Sequence, residues 1–175
     1  MQRPKSPKPS VCKNQVLAID PGLRGALVLL EHGKIQTAKK MPTEAKADSD
    51  LGRGTVDAVA LSLALQELQP GVCVLEKPQF RPGASAKGQG TTGINFGIIY
   101  GVLQVLNIPI VLVDAVTWTR AIHSLDPACE HMDEAKQKSL LVFRKLYPKS
   151  DVTHDGIIDA ALIAFWYSWK NGKLH

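Results

Sequence analysis

The stretch VLAIDPGLRGALVLL, residues 16–30, decides how this chain is interpreted. An apolar run ends in a single acid, Asp20, and a Pro-Gly turn then leads into a second apolar run. Two such runs predict the paired strands of a β-hairpin. A carboxylate at the tip of a buried strand is costly unless a cation or a proton neutralises it. Asp20 is therefore a candidate cation ligand, and the chain should hold further ligands for the same cation.

The remaining pattern predicts a mixed α/β fold. Residues 34–41 add a third antiparallel strand to the hairpin, and a loop follows at 42–54. Thr55 is the predicted cap of a helix that stops at Pro70 and Gly71. Two further strands are predicted at 72–76 and 108–114, and four further helices at 93–106, 115–122, 132–147 and 155–169.

Two features lie between the strands ending at residues 76 and 114. Residues 77–92 contain three cations and no acid among small residues, which predicts a mobile basic loop. Gly93, Gly97 and Gly101 then share one face of the next helix. Small residues at that spacing let another backbone approach closely, and we expect the sheet or core there rather than a second subunit.

The composition is that of one basic domain. With 175 residues, 45% of them hydrophobic, the chain can bury one ordinary core. Its 21 Lys and Arg outnumber 16 Asp and Glu, and the net charge of +5 makes a polyanionic partner plausible. Residues 1–14, rich in proline and cations, predict a disordered basic tail ahead of a domain at 15–175.

The cysteines and the hydropathy bear on the setting of the protein. Cys12, Cys73 and Cys129 form no Cys-x-x-Cys pair, which argues against a disulfide framework or a zinc site and for a reducing compartment. No apolar run is long enough to cross a bilayer, so no membrane association is expected. We expect a cytoplasmic or nucleoid-associated protein, in the host cytoplasm if a bacteriophage encodes it, with an organelle as the alternative.

Four acids stand at the ends of otherwise apolar segments. Asp20 and Glu76 each end a predicted strand, whereas Asp155 and Asp159 lie one turn apart at the start of the last helix. If the two strands are adjacent and this helix packs across them, the four carboxylates converge. Oxygen ligands favour Mg²⁺ or Mn²⁺, and two such ions about 3.5–4 Å apart are the arrangement used to cleave phosphodiesters.

A family resemblance runs along most of the chain. LAIDPGLRGAL (17–27), VLEKP (74–78), GQGTTGINFGIIYGVL (88–103), IPIVLVDAVTW (108–118) and HDGIIDAALIA (154–164) occur in that order. Together they resemble the RuvC-type Holliday-junction resolvases of the RNase H-like superfamily, and most closely the bacteriophage and plant-chloroplast branch. The resemblance implies a five-stranded mixed sheet, its first three strands antiparallel, flanked by helices. It also implies a homodimer that resolves four-way DNA junctions by paired symmetric nicks with Mg²⁺.

The resemblance assigns roles by position. Asp20, Glu76, Asp155 and Asp159 match the four catalytic and metal-binding acids of the family. Bacterial members space the last two acids three residues apart, whereas here the spacing is four, as in mitochondrial and poxviral relatives. His154 is therefore an alternative to Asp155 as the third ligand. Lys136 matches a lysine that relatives keep near the site, and Lys138 is a weaker candidate.

The basic loop supplies the implied DNA contacts. Phe80 lies one residue from the place where bacterial relatives carry an aromatic that stacks on a junction base. The expected phosphate contacts are Lys77, Arg81, Lys87 and Gln89. Trp118, Trp166 and Trp169 are expected in the core or an interface rather than on DNA.

Three other functions fit parts of the pattern. AIDPGLRGAL also resembles the phosphate-binding hairpin of actin-like and sugar-kinase nucleotide-binding domains, although the chain has no second such hairpin. Another RNase H-like nuclease, acting on RNA–DNA hybrids, would use the same fold and metal site. A DNA-binding scaffold that has lost activity would have little reason to retain four mutually repelling acids.

Overall fold

The computed structural model describes residues 14–44, 54–79, 83 and 85–174. Its sheet has five strands in the order β3-β2-β1-β4-β5. The first three pair antiparallel, whereas β1–β4 and β4–β5 are parallel, as expected for an RNase H-like fold. The strands are β1 Gln15–Asp20, β2 Ala26–Glu31, β3 Lys34–Lys40, β4 Val72–Glu76 and β5 Ile110–Val113. The helices are α1 Ala58–Leu68, α2 Ala86–Val105, α3 Ala115–His123, α4 Ala135–Leu146 and α5 Asp155–Lys170, with a 3₁₀ turn at Pro127–His131.

Helices cover both faces of the sheet because the central strands are apolar on both sides. On β1, Val16 and Ala18 face the core formed with α3, α4 and α5. Leu17 and Ile19 face the opposite core, formed with α1 and α2. Successive side chains of a strand point to opposite faces, so an uninterrupted apolar run is the pattern of a strand buried on both sides. The expected five-stranded mixed sheet flanked by helices is therefore confirmed.

Two predicted helix starts are wrong. Helix α1 begins at Ala58, and its cap is Asp57, whose carboxylate accepts a hydrogen bond of 2.9 Å from the Ala60 N–H. Thr55 is instead buried and donates to Glu44. Val56 forms an isolated β-bridge with Thr43, which holds this segment extended and delays the helix.

Helix α2 begins seven residues before the predicted Gly93, at Ala86. Ser85 caps it by accepting a 3.1 Å hydrogen bond from the Gly88 N–H. Residues 86–92, predicted as part of a mobile loop, are therefore helical. Small residues and glycines disfavour a helix at 86–92. The Ser85 cap and the long helical segment that follows outweigh their low helix propensity.

The glycine face of α2 does not pack on the sheet, contrary to the expectation. A Cβ built on Gly93, Gly97 or Gly101 would meet nothing within 4 Å. The buried face of α2 is instead formed by Asn95, Ile99 and Leu103. The glycines therefore lie on a side of α2 that no other part of the described chain covers.

The predicted basic tail at 1–14 lies outside the described residues except for Asn14. Within the described part, no helix is both long enough and apolar enough to cross a membrane.

Candidate active site

A cleft of about 560 Å³ opens at the carboxyl end of β1, where the β1–β2 turn meets α4 and α5. Convergence of the acids required that the strands ending in Asp20 and Glu76 be adjacent and that the last helix pack across them. Both conditions hold, because β1 and β4 are paired neighbours and α5 packs against both strands. The charged and titratable residues lining the cleft are Asp20, Arg24, Lys136, His154, Asp155 and Asp159.

Asp20 is the last residue of β1 and lies at the edge of the cleft. Its Oδ1 accepts a hydrogen bond of 3.1 Å from the Gly22 N–H, which closes a tight turn after the strand. Burial raises the pKa of Asp20, and the Gly22 N–H and the charges of His154 and Lys136 oppose this increase. Asp20 is thus a largely desolvated carboxyl group whose ionised form needs further positive charge.

Glu76 is the last residue of the neighbouring strand β4. Burial raises its pKa to about 7, and the charges of Asp20 and Asp159 add to the increase. One oxygen, Oε2, accepts a hydrogen bond of 3.1 Å from the indole N–H of Trp118 on α3. The negative charges of Asp20 on β1 and Asp159 on α5 therefore both disfavour ionisation of Glu76.

The two acids of α5 have different surroundings. Asp159 is half-buried, and burial followed by the charges of Asp20 and Asp155 raises its pKa to about 7. The positive charge of Lys136 opposes that increase. Asp155 is exposed, and its Oδ2 lies 2.6 Å from Nζ of Lys136. This ion pair raises the pKa of Lys136.

Two glycines allow α5 to approach the β1–β2 turn. A Cβ on Gly156 would lie 2.3 Å from the carbonyl oxygen of Arg24, and one on Gly25 would lie 2.0 Å from the carbonyl oxygen of Asp20. Neither distance is possible for a real side chain. Backbone contact at this point brings the first turn of α5, with Asp155, against the strand that carries Asp20.

His154 directly precedes α5 and lines the same cleft. Its Nδ1 is buried and has no hydrogen-bond partner among the described residues. A buried nitrogen without a partner is costly unless a ligand or a water molecule reaches it. This position suits an accessory role beside Asp155.

The donor set fits a hard divalent cation in its chemistry. Asp20, Glu76 and Asp159 are carboxyl groups with raised pKa values, and no ion pair reaches them within the described part of the chain. Divalent ions would relieve their mutual repulsion. As placed, however, no three His, Cys, Asp or Glu side chains of the described residues are grouped closely enough to hold one ion.

A second cavity of about 900 Å³ lies on the other side of the β1–β2 turn, against the start of α2. Lys87 lines it, together with Ser85 and Thr91, and Gln89 lies in the same first turns of α2. Lys77 is placed elsewhere, with its Nζ 3.2 Å from Asp114. Phe80 and Arg81 lie outside the described residues.

Three residues near the acids were not identified from the sequence as parts of the site. Arg24 lies in the quoted turn beside Asp20, so its charge was a usable signal. Ser139 on α4 lies near enough to Asp159 to influence its pKa, and no sequence pattern indicates this. Trp118 is buried as expected, as is Trp166, whereas Trp169 is 47% exposed. The hydrogen bond from Trp118 to Glu76 was not expected.

The raised pKa values predict that the metal-free protein loses stability as pH rises. Glu76 and Asp159 titrate near pH 7 when folded but at ordinary values of 4.5 and 3.8 when unfolded. Between those values the folded state holds protons that the unfolded chain has lost, so the free energy of unfolding falls with rising pH. An Asp159→Asn variant should therefore gain more stability over wild type at pH 8 than at pH 5. Urea unfolding without metal at both pH values measures this, and an equal gain at both would contradict it.

The sequence matches no protein-family model and no curated protein at a significant level. Solved structures do match. Thermus thermophilus RuvC in complex with a Holliday junction substrate aligns with a TM-score of 0.63 and 16% identity, over 91% of this chain and 97% of that one. A second T. thermophilus RuvC structure aligns with a TM-score of 0.53 and 17% identity over the same shares. The yeast mitochondrial Holliday junction resolvase Ydc2 aligns with a TM-score of 0.61 and 14% identity, over 95% of this chain and 82% of that one. The chain therefore has the fold of RuvC-type resolvases, as predicted.

Proposed function

We propose that this protein is a Mg²⁺-dependent endodeoxyribonuclease that resolves four-way DNA junctions by paired symmetric nicks. The observation that carries the proposal is that Asp20 of β1 lines one cleft with Asp155 and Asp159 of α5, while Glu76 of β4 lies near enough for the charge of Asp20 to add to the effect of burial on its pKa. The fold shared with solved junction resolvases supports the choice of substrate.

Asp20, Glu76, Asp155 and Asp159 are the residues that would hold two divalent ions, for which Mn²⁺ can substitute. When bound, the ions supply Lewis-acid activation of the attacking water and stabilise charge on the leaving oxygen. The carboxylates fix where that chemistry occurs, and the partial burial of Asp20, Glu76 and Asp159 limits the access of competing water to them. His154 is the accessory ligand or proton carrier beside them.

Lys136 has a role on the open side of the cleft. Its side chain is 74% exposed, and its ammonium group is held at the cleft by Asp155. A DNA phosphate entering the cleft would meet this charge, and Lys136 then neutralises the scissile phosphate. Lys87 and Gln89 hold neighbouring phosphates, with Lys77, Arg81 and a stacking Phe80 on the preceding segment.

A homodimer completes the proposal, because one cleft can cut one strand and a symmetric junction needs two opposed cuts. The uncovered glycine face of α2 supports a second copy as its partner. Ile94 and Tyr100 on α2 are also exposed, to 40% and 37%. Sedimentation of the protein in solution should give the mass of two chains.

The test is cleavage of a labelled synthetic four-way junction with and without Mg²⁺. We expect paired nicks at symmetric positions only with metal, and at least tenfold slower cleavage of linear duplex of the same sequence. An RNA–DNA hybrid and ATP serve as the other substrates. Preferred cleavage of the hybrid would identify a different RNase H-like nuclease, and ATP hydrolysis without nicking would reject the nuclease.

Removing Lys136 should affect cleavage more than folding. Lys136→Ala is expected to slow cleavage by roughly 10–100-fold, the range for losing a group that supports a metal ligand. The free energy of unfolding should stay close to that of wild type, because an exposed ion pair contributes little. Lys138→Ala, two residues along α4, is the matched control and should stay within about threefold of wild type. Equal effects of the two substitutions would remove Lys136 from the site.

A further inference from the structure

Trp118 contacts one of the candidate metal ligands from outside the cleft. Its indole Nε1 lies 3.1 Å from Oε2 of Glu76, and its side chain is only 3% exposed. Neither Trp118 nor Glu76 is among the residues that line the cleft, although the charges of Asp20 and Asp159 both act on Glu76. The tryptophan therefore acts on the site only through Glu76.

The sheet topology explains how the two residues meet. Strands β4 and β5 are parallel neighbours, and Glu76 pairs with Val113 in their register. Helix α3 starts two residues after Val113, at the same edge of the sheet. Trp118 lies in the first turns of α3 and faces inward, into a core that also contains Ile122 and Phe143.

The core holds the indole ring in place. A large buried side chain packed on several sides has one accessible orientation, so its N–H points in a fixed direction. An indole N–H can only donate, and it neither titrates nor binds a cation. It can therefore hold a carboxylate oxygen without competing for a metal ion.

We propose that Trp118 is a positioning residue for Glu76: by occupying Oε2 it fixes the side chain so that Oε1 is the oxygen offered to a divalent ion. This inference rests on the proposed metal-dependent function. Outer partners of this kind orient metal ligands in many proteins, and losing one typically costs 10–100-fold in metal affinity or activity. The competing account is that Trp118 only fills the core and Glu76 only satisfies its N–H.

Trp118→Phe separates these accounts because it removes the donor and keeps an aromatic ring in the core. We expect Mn²⁺ affinity of the DNA-free protein, measured by calorimetry, to fall at least tenfold. Cleavage by the variant should recover as the Mg²⁺ concentration is raised, whereas Glu76→Gln should not recover. Trp166→Phe is the matched control, since Trp166 is buried in the same core and its ring contacts Lys170 instead. It should bind Mn²⁺ within twofold of wild type.

A second measurement needs no substitution. The chain has three tryptophans, so its indole N–H groups give three proton–nitrogen NMR signals. The Trp118 signal should move as Mg²⁺ is added, and the signal of the exposed Trp169 should not.

The possible results distinguish the positioning role of Trp118 from the proposed nuclease function on which it rests. Wild-type Mn²⁺ affinity in Trp118→Phe, or a Trp118 signal unaffected by Mg²⁺ in a protein that cleaves junctions, overturns the positioning role and leaves the nuclease standing. A wild-type protein that neither binds Mn²⁺ nor nicks a junction overturns both. A loss of affinity equal in Trp166→Phe and Trp118→Phe would assign the effect to core packing and also overturn the role.

Discussion

Replacing Asp20 with Asn should abolish junction cleavage while junction binding persists. We expect the cleavage rate to fall by at least about 10²–10³-fold, the range for losing a single group that stabilises charge in a transition state. The fold should survive, because an Asn Oδ1 can still accept the Gly22 N–H that Asp20 accepts at 3.1 Å. Binding should be retained or improved, since one negative charge leaves a cleft that receives phosphates.

Single-turnover cleavage and a gel-shift assay at fixed salt measure the two effects. Glu67→Gln provides the control, because it makes the same acid-to-amide change on α1, where Glu67 pairs with Lys39. It should cleave at the wild-type rate. An Asp20→Asn protein with wild-type cleavage would refute the assignment of the site.

The second large effect is expected at Gly156, a residue of the cleft that has no side chain. A methyl group there would lie 2.3 Å from the carbonyl oxygen of Arg24, so Gly156→Ala must push α5 away from the β1–β2 turn. Overpacking of this kind costs about 1–3 kcal/mol of stability. A displacement of about 1 Å between catalytic groups can cost about 10²-fold in rate. We therefore expect a folded but weakened protein with very slow cleavage.

Gly90→Ala is the matched control for stability. Gly90 lies in α2, where an added Cβ would meet nothing within 4 Å. Alanine in an open helical position is worth about 0.5–1 kcal/mol relative to glycine, so this variant should be more stable than wild type. Urea unfolding of both variants gives the comparison. A Gly156→Ala protein as stable as Gly90→Ala would show that the close approach of α5 is not required.

The individual acids could be predicted because each interrupts an apolar pattern. Asp20 and Glu76 end runs that fit buried strands, and Asp159 lies where a buried helix should be apolar. Their convergence depended on the pairing of β1 with β4, which hydrophobic periodicity does not specify. That pairing could be stated only as a condition, and the observed sheet order meets it.

The misses have local physical causes. The early start of α2 depends on one capping hydroxyl, from Ser85, among residues with low helix propensity. The outward glycine face could not be predicted, because Gly93, Gly97 and Gly101 have no side chain whose polarity would mark it as buried or exposed. Trp118 and Glu76 are 42 residues apart, and no sequence rule links an indole N–H to a carboxylate at that distance.

The docking of α5 onto β1 has a consequence for biosynthesis. Asp20 emerges from the ribosome early, whereas Asp159 belongs to a helix that is made after every strand of the sheet. A nascent chain that has completed the sheet but not released α5 would lack two of the four candidate site acids, Asp155 and Asp159, and the backbone contact at Gly156. Synthesis order thus delays completion of the acidic cleft until α5 has been translated and has packed.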